Sequence, residues 1–327
     1  MAEFIDHMKV TGAFLQSDLW AQFKSCFGWK DLKLQFRGTE LHVLLRQFGG
    51  RFSLAYVPYA PESASDIEEL SSFLKGQLPK NCIFIRYDLP WYVEQEGTLS
   101  GDACGILKKA SLDIQPPSSV VLDINRPDEE ILKGMKERAR RNIKTAAKKG
   151  VTVSRHTVQD LHIWYDLYKE TSARDRIAIH PFGYYEKLFL LAEKQDDIDV
   201  RLYLASVDGD DIAGIITLFY KDEGVYLYGA SCNRKRETMP AYALQWQGIR
   251  DAKAAGCLRY DFFGMPPADD PNHPMHGLYL FKTGFGGDII HRPGCWDYPC
   301  RPVLYRLYRV AESARKYYYK KLKKRHS

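Results

Sequence analysis

The heptapeptide FKTGFGG at 281–287 sets Lys282 between Phe281 and Phe285, just ahead of two glycines. A cation among aromatics, before a flexible turn, can project into a cleft and meet negative charge there. Read as plain structure, it is a surface lysine beside core rings. Asp88 and Asp261 fall at or near the ends of two apolar runs, CIFIRYD and LRYDFFG. Such runs read as buried strands, and strand ends in α/β sheets are where ligands gather. A carboxylate at that point is equally suited to capping its own turn. Tyr226 and Tyr228 stand two apart in GVYLYGAS, so a regular strand would put both on one side, one toward a ligand and one packing. His273 and His276 read as part of a loop. The seven cysteines are scattered without a CxxC pair, so reduced thiols and no metal site are expected.

The elements that must hold these residues follow from periodicity. Leu32 to Phe36, Leu41 to Phe48 and Phe52 to Val57 alternate or cluster apolar residues around Gly38 and Gly49-Gly50, which predicts a strand meander. SASDIEELSSFLKGQL then reads as a helix, and CIFIRYD as a buried strand. The second half repeats this order. Val200 to Val207, Ile212 to Phe219 and Val225 to Tyr228 are strands, Pro240 to Ala255 is a helix, and LRYDFFG is the closing strand. Both closing strands contain Arg-Tyr-Asp. The repeated order predicts two copies of one α/β unit. Between them, PDEEILKGMKERARRNIKTAAKKG reads as one long helix ending at Gly150, with acids first and lysines last, as the helix dipole favours. A meander, a helix and a strand in that order define the GNAT acyltransferase fold, so the expected architecture is α/β with two tandem GNAT-like domains. The expected domains are 1–150 and 151–296.

Composition constrains the partners. The chain has 327 residues and a net charge of +6, with 45% hydrophobic and 27% charged residues, which is globular. The charge is uneven: 133–149 carries +7 and 301–327 carries +9, so the remainder sums to about −10. Two basic patches on an acidic body suit a polyanion such as RNA, a diphosphate or an anionic lipid surface. Solvated helix faces are the plainer reading. No apolar run approaches the roughly 20 residues that span a bilayer, and MAEFIDHMKV lacks a signal-peptide apolar block. A cytoplasmic monomer is expected, possible peripheral contact at the inner face of the membrane coming from the basic end.

Four segments, in order, resemble the FemABX family of peptidoglycan aminoacyltransferases, most closely its compact FemX-type members. They are FLQSDLWAQFK (14–24) with Trp29, ERARRNIKTAAKKGV (137–151), GVYLYGAS (224–231) and FKTGFGG (281–287). The resemblance implies that a stem-peptide amine of a UDP-linked or lipid-linked muropeptide attacks the ester carbonyl of an aminoacyl-tRNA, with no cofactor. It alone returns residues 297–327 to the first domain. It implies catalytic roles for Lys282 and Phe281 and precursor contacts from Lys24, Tyr56 and Tyr59; Asp88 joins the catalytic set from its place at a strand end, and Tyr226 and Tyr228 join the substrate contacts from their spacing on the central strand. The family's diphosphate-binding Arg, four residues before a Tyr, falls here on His180 with Tyr184, a weaker phosphate ligand; Arg174 or Arg176 is the substitute. Asp66 is the alternative to Asp88. Arg138, Arg140, Arg141 and Lys144 are the expected tRNA contacts. Two rival functions are an acetyl-CoA-dependent N-acyltransferase and a non-catalytic RNA-binding protein. The first wants a glycine-rich turn at a helix N-terminus, and SCNRKRETMPA offers no glycine. The second rests on the basic helix alone.

Overall fold

The computed structural model describes residues 13–99 and 103–325, without the side chains of 103–104 and 315–325. The N-terminal MAEFIDHMKV, and the leader expectation that rests on it, lie outside the described residues. In chain order the strands described are β1 (Lys30–Phe36), β2 (Thr39–Phe48), β3 (Phe52–Pro58), β4 (Cys82–Leu89), β5 (Lys108–Lys109), β6 (Ser118–Asp123) and β7 (Thr152–His156). They continue with β8 (Ile198–Val207), β9 (Asp210–Tyr220), β10 (Glu223–Ser231), β11 (Arg259–Asp261), β12 (Asp288–His291) and β13 (Gly294–Pro299).

Two compact units result, Met1–Pro117 with His291–Ser327, and Ser118–Ile290. The expectation placed the division at 150/151 and 296/297. The difference has a physical source in β6, an almost wholly buried strand that pairs antiparallel with β11. The chain thus joins the second sheet before it reaches the basic helix.

The first unit's sheet runs β1-β2-β3-β4-β13-β5. Arg37-Gly38 turns β1 into β2 with both residues at positive φ, the conformation that matches a two-residue hairpin to strand twist. β3 and β4 are parallel, and helix Ile67–Gln77 crosses between them, burying Ile67, Leu70 and Leu74. Each such side chain contributes about 1.5–3 kcal/mol when removed from water. β13 then enters antiparallel beside β4, and helix Pro302–Arg325 follows.

The second unit's sheet runs β12-β6-β11-β10-β9-β8-β7. Asp208-Gly209 turns β8 into β9 with the same paired positive φ. β10 and β11 are parallel, crossed by helix Pro240–Ala254. Helices Leu161–Asp175 and Phe182–Ala192 precede this meander.

The long helix expected at 127–150 is two helices, Asp128–Gly134 and Glu137–Lys148. Met135 and Lys136 are extended, with ψ of 152° and 148°. At this break the Lys136 N–H donates to the Gly284 carbonyl at 2.9 Å. The FKTGFGG turn therefore takes a hydrogen bond that a continuous helix would have kept internal. FKTGFGG is also not all turn: Lys282 is the last residue of helix His276–Lys282, which begins within the histidine segment read as a loop.

Candidate functional site

In the first unit, the sequence candidates lie along one row. Lys24 closes helix Asp18–Ser25, its Nζ 5.5 Å from the Trp20 ring. Burial and the neighbouring Arg46 guanidinium both push its pKa down. Arg46 in turn lies 5.3 Å over Trp29, and Trp29 is 5.8 Å from Tyr56. The Tyr56 hydroxyl donates to Asp88 Oδ2 at 3.0 Å, and the backbone N–H of Gln115 donates to the same oxygen at 3.0 Å. Asp88 ends up 1% exposed, and burial raises its pKa from 3.8 to about 6. Tyr59 is buried at a positive φ of 45°, with the Arg292 guanidinium 5.0 Å over its ring. A bulky residue holds that conformation only when its surroundings dictate it. Asp66 is instead engaged with Arg37 at 2.6 Å. Arg46, Gln115 and Arg292 were not found from the sequence, because a lone Arg or Gln in a strand or loop carries no motif.

In the second unit Lys282 departs from the projecting side chain expected of it. It is 4% exposed. Its Nζ donates to the carbonyls of Phe262, Phe263 and Gly264 at 2.6, 3.0 and 2.7 Å and lies 5.1 Å over the Tyr226 ring. Three carbonyls match the three hydrogens of an ammonium. Burial works against that charge and lowers the pKa to about 7, while the Asp261 carboxylate favours it. Asp261 also shapes the cage. Its Oδ1 accepts the Phe263 N–H at 2.7 Å and the Ser119 hydroxyl, holding Phe263 at a φ of 55°. Backbone carbonyls leave no trace in a sequence, so this cage could not be anticipated. Phe281 packs edge-on to Tyr242 and Phe285 at 5.0 and 5.3 Å. The two glycines that close the signature are dictated by close approach as well as by positive φ. A Cβ at Gly286 would stand 2.7 Å from the Gly134 carbonyl oxygen, and one at Gly287 would stand 2.5 Å from that of Val121.

Tyr226 and Tyr228 do not share a side. The register shifts between them, Tyr226 opposing Thr217 and Tyr228 opposing Ile216. The extra residue, Leu227, is a β-bulge that turns the second tyrosine over. Tyr226 packs with the core that includes Tyr242 and Trp246. Tyr228 joins Trp164, Tyr168 and Tyr185. That second cluster holds His180 and Tyr184, whose rings stack at 3.9 Å and 18°. His180 is exposed and Tyr184 buried. Arg174 bonds the Ser231 carbonyl at 2.8 Å and pairs with Asp175, while Arg176 ends its helix in the left-handed conformation.

The basic helix Glu137–Lys148 buries Ala139, Asn142 and Ala146. On another face, Glu137, Arg140, Arg141, Lys144, Thr145 and Lys148 line an open concavity of about 310 Å³. Arg140 reaches back to the carbonyls of Lys133 and Met135, tying the two helices together. Arg141 and Lys144 are exposed, and Arg138 is exposed outside the concavity.

The chain as a whole is similar to known proteins. A FemAB family profile matches residues 104–211 and 191–313. The chain is 24% identical over 253 residues to a lipid II:glycine glycyltransferase of Staphylococcus epidermidis, and 23% identical over 260 residues to one of Staphylococcus aureus. Each match covers 59% of this chain and 61% of the relative, so the chain spans less than two thirds of those proteins. Its fold matches a crystal structure of FemX with a TM-score of 0.79 at 21% identity, covering 94% of this chain and 98% of the other. The C-terminal domain of a putative lysylphosphatidylglycerol synthetase from Agrobacterium fabrum matches with a TM-score of 0.54 at 12% identity, over 95% and 96%. Both units have the meander, crossover helix and parallel strand of a GNAT-like domain. With a family profile matched across most of its length, the chain belongs to the FemAB family.

Proposed function

We propose that this protein is an aminoacyltransferase of cell-wall synthesis that moves an amino acid from aminoacyl-tRNA to the stem-peptide amine of a muropeptide precursor. The observation that carries the reading is the Lys282 turn, in a chain whose relatives are named lipid II:glycine glycyltransferases. That turn buries an amine of near-neutral pKa and hydrogen-bonds to the start of a cationic helix. The amine nitrogen attacks the ester carbonyl, a C–N bond forms, the C–O bond breaks, and a proton passes from the nitrogen to the departing ribose oxygen. The tetrahedral intermediate is anionic at oxygen, and a positioned donor there is typically worth roughly 2.7–4 kcal/mol. Lys282, whose three hydrogens go to the Phe262, Phe263 and Gly264 carbonyls, is assigned to that charge as a buried neighbouring cation rather than a direct donor, with Phe281 at the same site. Asp88 is assigned to orient the acceptor peptide or its amine.

Lys24 and Arg46 supply a pair of neighbouring cations for the precursor's diphosphate. The Tyr56 and Tyr59 rings belong to the same precursor region. Tyr226 belongs with Lys282, and His180, Tyr184 and Tyr228 form a separate aromatic binding surface. Arg138, Arg141 and Lys144 are assigned to tRNA phosphates, while Arg140 is held on the Lys133 and Met135 carbonyls. The relatives' names favour a lipid-linked acceptor, and a basic C-terminal end suits an anionic membrane surface at about 1 kcal/mol per Lys/Arg. Among the described residues no helix is long and apolar enough to cross a membrane.

The acetyl-CoA reading has less support. The segment before helix Pro240–Ala254 takes left-handed conformations at Lys235 and Met239 without glycine, and Pro240 removes an N–H at the helix start. A pyrophosphate would need those donors. Charged tRNA with lipid II or a UDP-muropeptide, run against acetyl-CoA with the same acceptor, tests the proposal. Transfer only from charged tRNA is expected; acetylation alone would overturn it.

A further inference from the structure

The sequence reading expects no metal, yet the folded chain gathers one imidazole and two carboxylates on one face of the β1–β2 hairpin. Lys33 is the cross-strand partner of His42, and Gln35 that of Glu40. Helix Asp18–Ser25 packs above this face and contributes Asp18. The ligand atoms of Asp18, Glu40 and His42 all lie within 4.8 Å of one another. Such a cluster would mean little without His42. Its ring is 1% exposed, and its Nε2 is buried with no hydrogen-bond partner among the described residues. Nδ1 lies 3.0 Å from Asp31 Oδ2. A carboxylate only accepts, so Nδ1 carries the hydrogen, and Nε2 is the ring nitrogen left facing Asp18 and Glu40. A buried ring nitrogen facing two carboxylate oxygens is an arrangement that can share one cation.

The dimensions suit a metal ion. His42 Nε2 is 3.4 Å from Asp18 Oδ1 and 3.7 Å from Glu40 Oε1. Ligand atoms around a tetrahedral ion with bonds of 2.0–2.1 Å stand roughly 3.3 Å apart. Asp31 supplies the carboxylate behind the imidazole that orients metal-bound histidines. Gln16 clamps the His42 backbone, its Oε1 accepting the His42 N–H at 2.8 Å and its Nε2 donating to the His42 carbonyl at 3.3 Å. A cation already stands at this place: Lys33 Nζ is 2.9 Å from Asp18 Oδ1 and 2.8 Å from Glu40 Oε1.

We infer that His42, Asp18 and Glu40 form a binding site for a divalent first-row transition metal, with Asp31 as the supporting carboxylate and the Lys33 ammonium as the competing internal cation. One nitrogen and two carboxylate ligands suit Zn²⁺, Co²⁺ or Mn²⁺. The bound ion fastens the first turn of helix Asp18–Ser25 to the sheet, and Lys24 sits at the other end of that helix.

The test uses the full chain without an affinity tag, stripped of metal, titrated with Co²⁺ and Zn²⁺ by absorbance and calorimetry. One equivalent is expected, with Co²⁺ d–d bands and no thiolate charge-transfer band. Glu40→Gln, an exposed change that leaves the fold intact, is expected to weaken binding at least tenfold. His42→Gln is expected to abolish it. Lys33→Met is expected to tighten binding at least tenfold, because the competing ammonium is gone. Binding of no ion by either wild type or Lys33→Met overturns the inference. So does binding that Glu40→Gln leaves unchanged, or a thiolate band that places the ion on a cysteine.

Discussion

At Asp88 a charge is kept where solvation is poor, and the cost can be measured. Its pKa is raised from 3.8 to about 6 by burial. The folded state therefore binds a proton that the unfolded state has lost between those values, so the contribution of Asp88 to stability is greatest below 3.8 and falls until about pH 6. The ionised form costs on the order of 3 kcal/mol at neutral pH. Asp88→Asn can still accept from Tyr56 and Gln115. It is expected to flatten the pH 4–6 stability slope and to raise stability at pH 7.5 by 1–3 kcal/mol in order of magnitude, while transfer falls. Urea denaturation at pH 4.5 and 7.5 reads the first part. A variant less stable at both values would make Asp88 a structural residue. Lys282→Met is expected to cut single-turnover transfer by a hundred- to thousandfold. It also leaves three carbonyls without a donor, so some loss of stability accompanies it. Wild-type turnover would remove Lys282 from the chemistry. The type and position of Lys282, Asp88, Tyr56 and Lys24 were legible as motif residues. Their surroundings were not, because a carbonyl cage and a buried carboxylate depend on segments far apart in the chain.

The two Arg-Tyr-Asp strands show how far an element can be read in advance. Tyr87 and Tyr260 are fully buried, and each hydroxyl meets a polar side chain of its unit's crossover helix: Ser71 at 3.0 Å and Gln245 at 3.1 Å. Asp88 and Asp261 each accept a hydroxyl, from Tyr56 and Ser119. The shared tripeptide thus marks a shared way of fixing helix to sheet. Meander, helix and buried strand were visible because their apolar periodicity is local. The break at Met135 and the bulge at Leu227 were not, since each answers to a packing partner. Gly229 gives the bulge a test. A Cβ there would stand 1.8 Å from the Tyr226 hydroxyl. Gly229→Ala should displace that ring from Lys282 and cost about 1–3 kcal/mol, and combining it with Tyr226→Ala should recover much of the loss. Additive losses in denaturant melts would refute the contact. On the basic helix, Arg141→Gln with Lys144→Gln is expected to weaken tRNA binding and lower its salt slope by about two. Arg140→Gln should mainly lower the melting temperature, because Arg140 is spent on the Lys133 and Met135 carbonyls. An unchanged slope in filter binding would assign the helix to structure.

For the whole molecule, the governing fact is that the first unit is discontinuous. β13 lies between β4 and β5. Arg86 Nε and Nη2 donate to Asp297 at 2.7 and 2.9 Å, and Tyr305 donates to the same carboxylate at 3.0 Å. Asp297 is fully buried, so breaking that pair strands a charge. A fragment of residues 118–290 is expected to melt cooperatively by itself, whereas 1–117 should stay unfolded until 291–314 is supplied in trans. Circular dichroism and proteolysis of the fragments check this, and an independently folded 1–117 would refute it.

A polypeptide leaves the ribosome from its N-terminus, so this arrangement sets a timetable. Residues 13–117 emerge first but lack the strand that completes their sheet. The inserted unit, contiguous in the gene, can close while translation continues. Only when Asp297 has cleared the exit tunnel can Arg86 find its counter-ion. For the time taken to synthesise some 170 further residues, the edge of β4 stays open, an unpaired strand edge of the kind that invites wrong pairing.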